Sequence, residues 1–234
     1  MVSALSISGT DQPWSRHELL RVAPAAWSQT LTSRPDLSGV PYLTNWVDHG
    51  WPVIVRRRVC GERADLVPIG VPLPPSAGRQ RIGLLIPPEA VLERSLPPSL
   101  WTVRQAAGAS WQRAIHDLVM LGARHAVTPT VIGSLYWQYR SGLTYLSRQS
   151  DLDVLWRAHS GWGMRSLLAG IEAIERAEDL RIDGEVVFPD GRAVNWRELH
   201  LALATSGGTE VLIKSVDIAR LVDICDLADL RSAA

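Results

Sequence analysis

The chain has 234 residues, with 24 basic and 24 acidic side chains and so no net charge. That length buries a sizeable core in one large domain or two small ones, and the neutral balance excludes a protein whose main work is coating nucleic acid. With 46% hydrophobic and 21% charged residues, the composition is globular rather than disordered.

Met1 to Ser6 has no basic segment followed by an apolar one, so no secretion signal is expected. Trp14 to Leu20, opened by Pro13, reads as a helix. Pro24 interrupts it and Ala25-Ala26-Trp27 begins another short piece. A further short helix is expected from Pro41 to Val47, closed by Gly50. Pro52 to Arg57 and Gln80 to Ile86 read as strands. Between them, Val67 to Pro75 is too rich in proline for a central strand and is expected as an extended loop with an edge segment. Pro87-Pro88 and Pro97-Pro98 bracket a short helix-like piece. The domain boundary is placed just beyond it, giving an N-terminal domain of 1–105 and a C-terminal domain of 106–234.

Trp111 to Leu121 has the apolar spacing of an amphipathic helix. Thr130-Val131-Ile132 is a short strand that runs into Gly133-Ser134, and Leu135 to Tyr139 begins a helix that ends near Gly142. Asp151 to Trp156 reads as a strand and Met164 to Ala177 as a helix with Leu167, Leu168, Ile171 and Ile174 on one face. Leu180 to Phe188 is extended, Asp190-Gly191 is a turn, and Asn195 caps a helix to Ala204. Thr209 to Lys214 is read as the last strand. No run of about 18 apolar residues occurs, so no membrane span is expected. Cys60 and Cys225 lie too far apart for a zinc knuckle and are too few for a disulfide scaffold, which suits reduced thiols in a cytoplasmic protein. The expected fold class is α+β: a mixed sheet with flanking helices in the C-terminal part, plus a smaller N-terminal α/β domain.

Two features carry chemistry. Gly133-Ser134 sits directly after a strand and at a helix start. Free N–H groups there form an anion site, the glycine lets the backbone approach a phosphate, and the serine hydroxyl can donate to it. Alone, the pair is an ordinary turn with an N-cap serine. The second feature is Asp151-Leu152-Asp153. On a strand, residues i and i+2 share a face, so both carboxylates converge while Leu152 packs behind them. Such acids repel unless a cation lies between them, and Mg²⁺ (or Mn²⁺) takes oxygen ligands and bridges to phosphates. Alone, this is a solvated strand start.

The order strand, Gly-Ser, helix, then Asp-x-Asp on the next strand resembles the nucleotidyltransferase superfamily. That resemblance implies that Gly133 and Ser134 bind the β- and γ-phosphates, while Asp151 and Asp153 form the catalytic pair and hold the metal at the α-phosphate. It also implies a third metal-binding carboxylate from a neighbouring strand. Asp183 and Glu185 are the candidates, and Glu185 is preferred because apolar Val186 to Phe188 follows it.

The surrounding words are more specific. Ile132-Gly133-Ser134-Leu135-Tyr136-Trp137-Gln138, then Gly142-Leu143-Thr144-Tyr145-Leu146, then Ser150 to Trp156 strongly resemble the phosphoribosyl-dephospho-CoA transferase of bacterial malonate decarboxylase, also called its holo-acyl-carrier-protein synthase. Val53 to Arg57, Gly70 to Pro75, Arg79 to Ile82, His116-Asp117-Leu118, Asp183-Gly184-Glu185 and Trp196 to Leu199 are similar too, so the resemblance covers about residues 10–220. It implies transfer of the phosphoribosyl-dephospho-CoA group from 2′-(5″-triphosphoribosyl)-3′-dephospho-CoA to a serine of the apo acyl carrier subunit, with release of pyrophosphate. It implies no nucleic-acid or membrane partner.

Lys214, the only lysine, ends its strand and could reach a phosphate. His116 on its helix suits packing more than catalysis, and Trp137 and Trp156 could stack on adenine but suit the core. Arg56-Arg57-Arg58, with Arg79 and Arg81, could face an anionic substrate or an acidic carrier. Two other readings use the same core: a generic metal-dependent adenylyl transferase, and a non-catalytic nucleotide-binding module.

Overall fold

The structure is a computed structural model that describes residues 13–159, 163–178, 180–205 and 208–227. Met1 to Ser6, read above for a secretion signal, lies outside them. In chain order the N-terminal elements are β1 (Leu19–Val22), α1 (Pro24–Thr32), β2 (Val53–Val55), β3 (Val67–Pro72), β4 (Arg81–Ile86) and β5 (Val91–Ser95). The strands form one sheet in the order β4-β3-β2-β1-β5, antiparallel throughout. The α/β expectation therefore holds here only as a mixture of helix and sheet.

Four local expectations fail in this half, each because a non-local contact outweighs the local pattern. Trp14 to Leu20 is not a helix. The chain turns at Ser15–Glu18, with Glu18 N–H donating to Ser15 O at 3.2 Å and His17 at φ +70°. It then enters β1, which pairs with β2 and β5. Glu18 is buried against Arg94, 2.8 Å away and 76 residues on. Pro41 to Val47 is a series of turns rather than a helix. Leu43 and Trp46 are buried, and two indoles hold the loop: Trp27 Nε1–H donates to Leu43 O and Trp46 Nε1–H to Pro52 O. Pro88 to Ala90 makes a single 3₁₀ turn, and the rest of that piece is β5 on the sheet edge.

The proline-rich Val67–Pro72 is an inner strand, not a loop. Its register explains how. Ile54 pairs with Gly70 and Val55 with Ile69, so Pro68 and Pro72 face positions 56 and 52, one place beyond each end of three-residue β2. Arg56 N–H still donates to Pro68 O at 3.0 Å, so Pro68 costs the ladder only the reciprocal bond at its end.

The linker carries α2 (Leu100–Val103). The C-terminal elements are α3 (Gln112–Arg124), β6 (Thr130–Val131), α4 (Gly133–Ser141), β7 (Leu152–Arg157), α5 (Met164–Glu178), β8 (Ile182–Val187), β9 (Ala193–Asn195), α6 (Trp196–Ala204), β10 (Glu210–Lys214) and β11 (Ala219–Asp223). The sheet order is β11-β10-β9-β8-β7-β6, and it is mixed because β7 and β8 run parallel. The α+β class holds. Thr209 to Lys214 is not the last strand: β11 pairs along the whole of β10, and its short, largely exposed sequence lacks apolar alternation. Asn195 caps α6 as expected, accepting from the N–H groups of Arg197 and Glu198.

The two faces of the C-terminal sheet differ. Leu152, Val154 and Trp156 join the main core with Leu118 of α3 and Leu168 and Ile171 of α5. On the other face Leu155, Val187 and Ala193 form only a small cluster with Ile132. That thinly covered face also carries Asp153, Asp183 and Glu185, and the N-terminal sheet leans over it. Tyr145 Oη–H donates to Pro72 O at 2.9 Å, Arg58 N–H donates to Val216 O at 2.7 Å, and the Trp46 and Trp137 rings lie 5.7 Å apart.

The Glu18–Arg94 pair sets a first prediction. Arg94 is 5% exposed. Removing the carboxylate takes a buried counter-charge from the guanidinium, so Glu18→Ala costs about 3–5 kcal/mol. Replacing both partners by apolar residues costs less. Denaturant unfolding of the single and double variants measures the difference, and equal stability of Glu18→Ala and wild type refutes it.

Candidate active site

α4 begins immediately after β6, and Ile132 N–H donates to Asp153 O at 3.1 Å, which ties the turn to β7. Gly133 then adopts φ +66°. A Cβ built there would lie 1.9 Å from Asp153 Oδ2. Only a glycine lets the Asp153 carboxylate sit against the first turn of α4. No side chain caps that helix start, and among the described residues the Ser134 hydroxyl makes no hydrogen bond. The N–H groups of the first turn are thus left for an anion.

Asp153 is in register with Asp183 across the parallel β7–β8 pair, so the two acids stand side by side at the strand spacing of about 4.8 Å. Asp183 Oδ1 accepts from Gly184 N–H at 2.8 Å and Asn195 Nδ2–H at 2.9 Å. Gly184, at φ +136°, has no room for a side chain, because a Cβ would meet Val154 O at 1.8 Å. Asp151 lies just before β7, about one-third exposed, with Arg181 Nε 3.5 Å away. Burial pushes the Asp153 carboxyl up to about 6, the negative charges of Asp183 and Asp151 add to it, and Arg81 pulls the other way.

Among the described residues, no three His, Cys, Asp or Glu side chains gather as a ready-made metal cage. Mg²⁺, however, usually takes one or two carboxylates and completes its shell with water and substrate phosphates. A buried carboxylate crowded by two others fits such an ion, since a divalent cation removes the repulsion that raises its pKa.

Glu185 and Lys214 come together elsewhere on the same face. Glu185 accepts from Arg16 Nη1 at 3.0 Å and Nη2 at 3.2 Å, and shares a hydrogen with His17 Nε2 at 3.0 Å. Lys214 Nζ is 3.6 Å from its other oxygen. Burial alone would raise the Glu185 pKa, but His17 and the Arg16 guanidinium outweigh it and hold the carboxyl well below its ordinary range. Burial lowers the His17 pKa from its ordinary value, and its hydrogen bond to Glu185 pulls the other way. The structure therefore brings Gly133, Ser134, Asp151, Asp153 and Asp183 to one corner, and joins Glu185 and Lys214 to the N-terminal segment instead. The apolar run that favoured Glu185 marks a central strand, and that burial is what delivers Glu185 to Arg16 and His17.

Two family models divide the chain: the phosphoribosyl-dephospho-CoA transferase MdcG N-terminal domain over residues 15–98 and the MdcG C-terminal domain over residues 99–224. The chain belongs to the MdcG family of phosphoribosyl-dephospho-CoA transferases. It is 41% identical over 213 residues to a Bradyrhizobium diazoefficiens protein of that name, covering 91% of this chain and 92% of the relative. A Xanthomonas euvesicatoria phosphoribosyl-dephospho-CoA transferase is 35% identical over 219 residues, covering 94% and 99%. No solved structure shows significant similarity to the chain. The chain is thus a transferase, and the family name points to a substrate derived from dephospho-CoA. Among the described residues, no helix is long and apolar enough to cross a membrane.

Other candidates of this MdcG-family chain lie away from the Gly133–Asp153 corner. His116 is exposed on α3, whose buried face is Ala114, Ile115 and Leu118. Trp137 and Trp156 are core residues, 3% and 0% exposed, and stack on no ligand-accessible surface. Arg56 is held by Glu62 and Arg58 by Asp217, which leaves Arg57 as the one exposed member of that run without a carboxylate. Arg16 and His17 had no local signal, because their partner lies more than 160 residues away.

Proposed function

We propose that the chain transfers the phosphoribosyl-dephospho-CoA group from 2′-(5″-triphosphoribosyl)-3′-dephospho-CoA to a serine of the apo acyl carrier subunit of malonate decarboxylase, releasing pyrophosphate. The observation that carries this reading is the Asp153 carboxylate packed on left-handed Gly133 at the uncapped start of α4. It sets phosphate-binding N–H groups directly beside a negatively charged, metal-suited corner.

In this reading the N–H groups at Gly133 and Ser134, with the Ser134 hydroxyl, hold the β- and γ-phosphates. The carrier serine oxygen attacks the α-phosphorus, a new O–P bond forms, and the bond to the bridging oxygen of pyrophosphate breaks. The serine proton passes to a carboxylate oxygen of Asp151 or Asp153. Mg²⁺ or Mn²⁺ held by Asp153 with Asp151 or Asp183 would supply Lewis acidity at the α-phosphate. Positioning and charge neutralisation do most of the work in such transfers, so no covalent enzyme intermediate is needed. An open cleft of about 930 Å³ starts at Asp151 and runs past Leu146, Trp111 and Leu180, room for a bulky substrate arm or an approaching carrier loop. In this reading the chain acts in the cytoplasm.

The test is carrier mass. Incubating apo carrier with this protein, the triphosphoribosyl precursor and Mg²⁺ should add one phosphoribosyl-dephospho-CoA unit and release one pyrophosphate, whereas ATP in place of the precursor should add nothing. An unchanged carrier, or an adenylylated one, rejects the reading.

A further inference from the structure

The N-terminal sheet ends at the catalytic corner, and it ends in arginines. Arg81 opens β4 opposite Pro72 of β3. The Pro72 carbonyl is held by the Tyr145 hydroxyl at 2.9 Å, and Arg79 Nη2 donates to Ser147 Oγ at 3.2 Å. Both contacts land on the loop between α4 and β7, the segment that joins Gly133-Ser134 to Asp151-x-Asp153. That loop is itself fixed, since Gln138 Oε1 accepts from the N–H groups of Tyr145 and Leu146. The turn that presents the arginines is also committed: Gly78 and Arg79 are both left-handed, at φ +80° and +57°, a conformation that costs a non-glycine residue and persists only where the surroundings impose it.

The charges sort in the same way. Arg16, Arg56, Arg58 and Arg94 are each held by a carboxylate. Arg81 is exposed, and among the described residues it has neither a hydrogen bond nor an ion pair. Its place opposite Pro72, whose carbonyl the Tyr145 hydroxyl holds, sets it beside the loop that leads into β7. A guanidinium that is free of partners and anchored by its strand beside the loop between the Gly133-Ser134 turn and Asp153 suits a polyphosphate.

We propose that Arg81 is a phosphate-binding residue of the transfer reaction, supplied by the N-terminal sheet to the triphosphate held at the start of α4, with Arg79 fixing the turn that presents it. The assignment rests on the proposed function for the identity of the triphosphate, but not for its test. The probe is inorganic pyrophosphate with Mg²⁺, measured by calorimetry on the full chain. Arg81→Ala should weaken pyrophosphate binding about 10- to 100-fold, the range of one charge-assisted contact, and Arg81→Lys should restore part of it. The melting temperature should not move, since the side chain is exposed. In carrier transfer the loss should appear in KM for the precursor as well as in kcat. Arg57→Ala, equally basic and exposed but in the loop after β2, should leave pyrophosphate affinity within about twofold of wild type.

No pyrophosphate binding by the wild type, an unchanged affinity in Arg81→Ala, or an equal loss in Arg57→Ala overturns the assignment. A protein that binds pyrophosphate through Arg81 yet modifies no carrier rejects the proposed acceptor and supports the arginine.

Discussion

Asp153→Asn should lose transfer by about 1,000-fold or more and yet melt at a higher temperature than the wild type at neutral pH. The loss follows from the role of the carboxylate at the α-phosphate, where its charge or the metal it holds stabilises the transition state. The gain in stability follows from its environment. The carboxyl is raised from 3.8 to about 6, first by burial and then by Asp183 and Asp151. A raised acid binds its proton more tightly in the folded state, so the fold loses stability as pH rises from about 4 to about 6 and has lost all of that contribution by pH 7. The full displacement corresponds to about 3 kcal/mol. Solvent relaxation at a partly exposed site reduces this, and about 1–2 kcal/mol is expected, or roughly 2–8 °C in melting temperature for a chain of this size. Asparagine copies the shape of the protonated acid and does not titrate. The variant should therefore gain over wild type at pH 7 and show little difference at pH 4. Mg²⁺ should raise the wild-type melting temperature and leave the variant unmoved. Thermal melts at both pH values, with and without the ion, check all three statements. A variant that melts lower than wild type at pH 7 shows that the carboxylate is a structural group, not one held in tension for a cation.

The same acids show where sequence reasoning succeeds. Gly133-Ser134 is legible as a glycine at a helix start and Asp153 as a residue of a strand, whereas Asp151 stands just before β7 and not on it. α3, α5 and α6 are legible because their apolar spacing is helical over two turns or more. The N-terminal half is far less so. Trp14 to Leu20 has a helix-start proline and too few residues to establish a period, and its conformation is fixed by a pair 76 residues apart and by two strand neighbours. β3 hides behind its prolines until the three-residue length of β2 is known. Asp183 and Glu185 sit two residues apart on one strand with equal local claims. Register with Asp153 and contact with Arg16 and His17 separate them, and both depend on strands brought together from opposite ends of the chain. The site is readable where one segment builds it and unreadable where the two sheets meet.

Gly133→Ala is the second large effect, and it separates two costs that a single variant confounds. One is conformational: φ +66° costs an L-residue about 1–2 kcal/mol. The other is steric, because the new methyl would occupy the place of Asp153 Oδ2, 1.9 Å away. A contact that short cannot be kept. Either the carboxylate swings off the first turn of α4 or the turn rises away from β7. Each displaces the acid from the phosphate-binding N–H groups by an ångström or more, a misplacement worth about 100-fold in rate, and transfer should fall by at least that factor. The stability cost in the wild-type background should be about 2–5 kcal/mol, the sum of strain and overpacking. In an Asp153→Gly background the methyl meets no side chain there, and adding Gly133→Ala should cost only the conformational share of about 1–2 kcal/mol. The coupling between the two sites is then the steric share, measured by denaturant unfolding of the four proteins in a double-mutant cycle. A coupling near zero means that Gly133 and Asp153 do not touch in solution, and the corner that carries the proposed chemistry is not assembled.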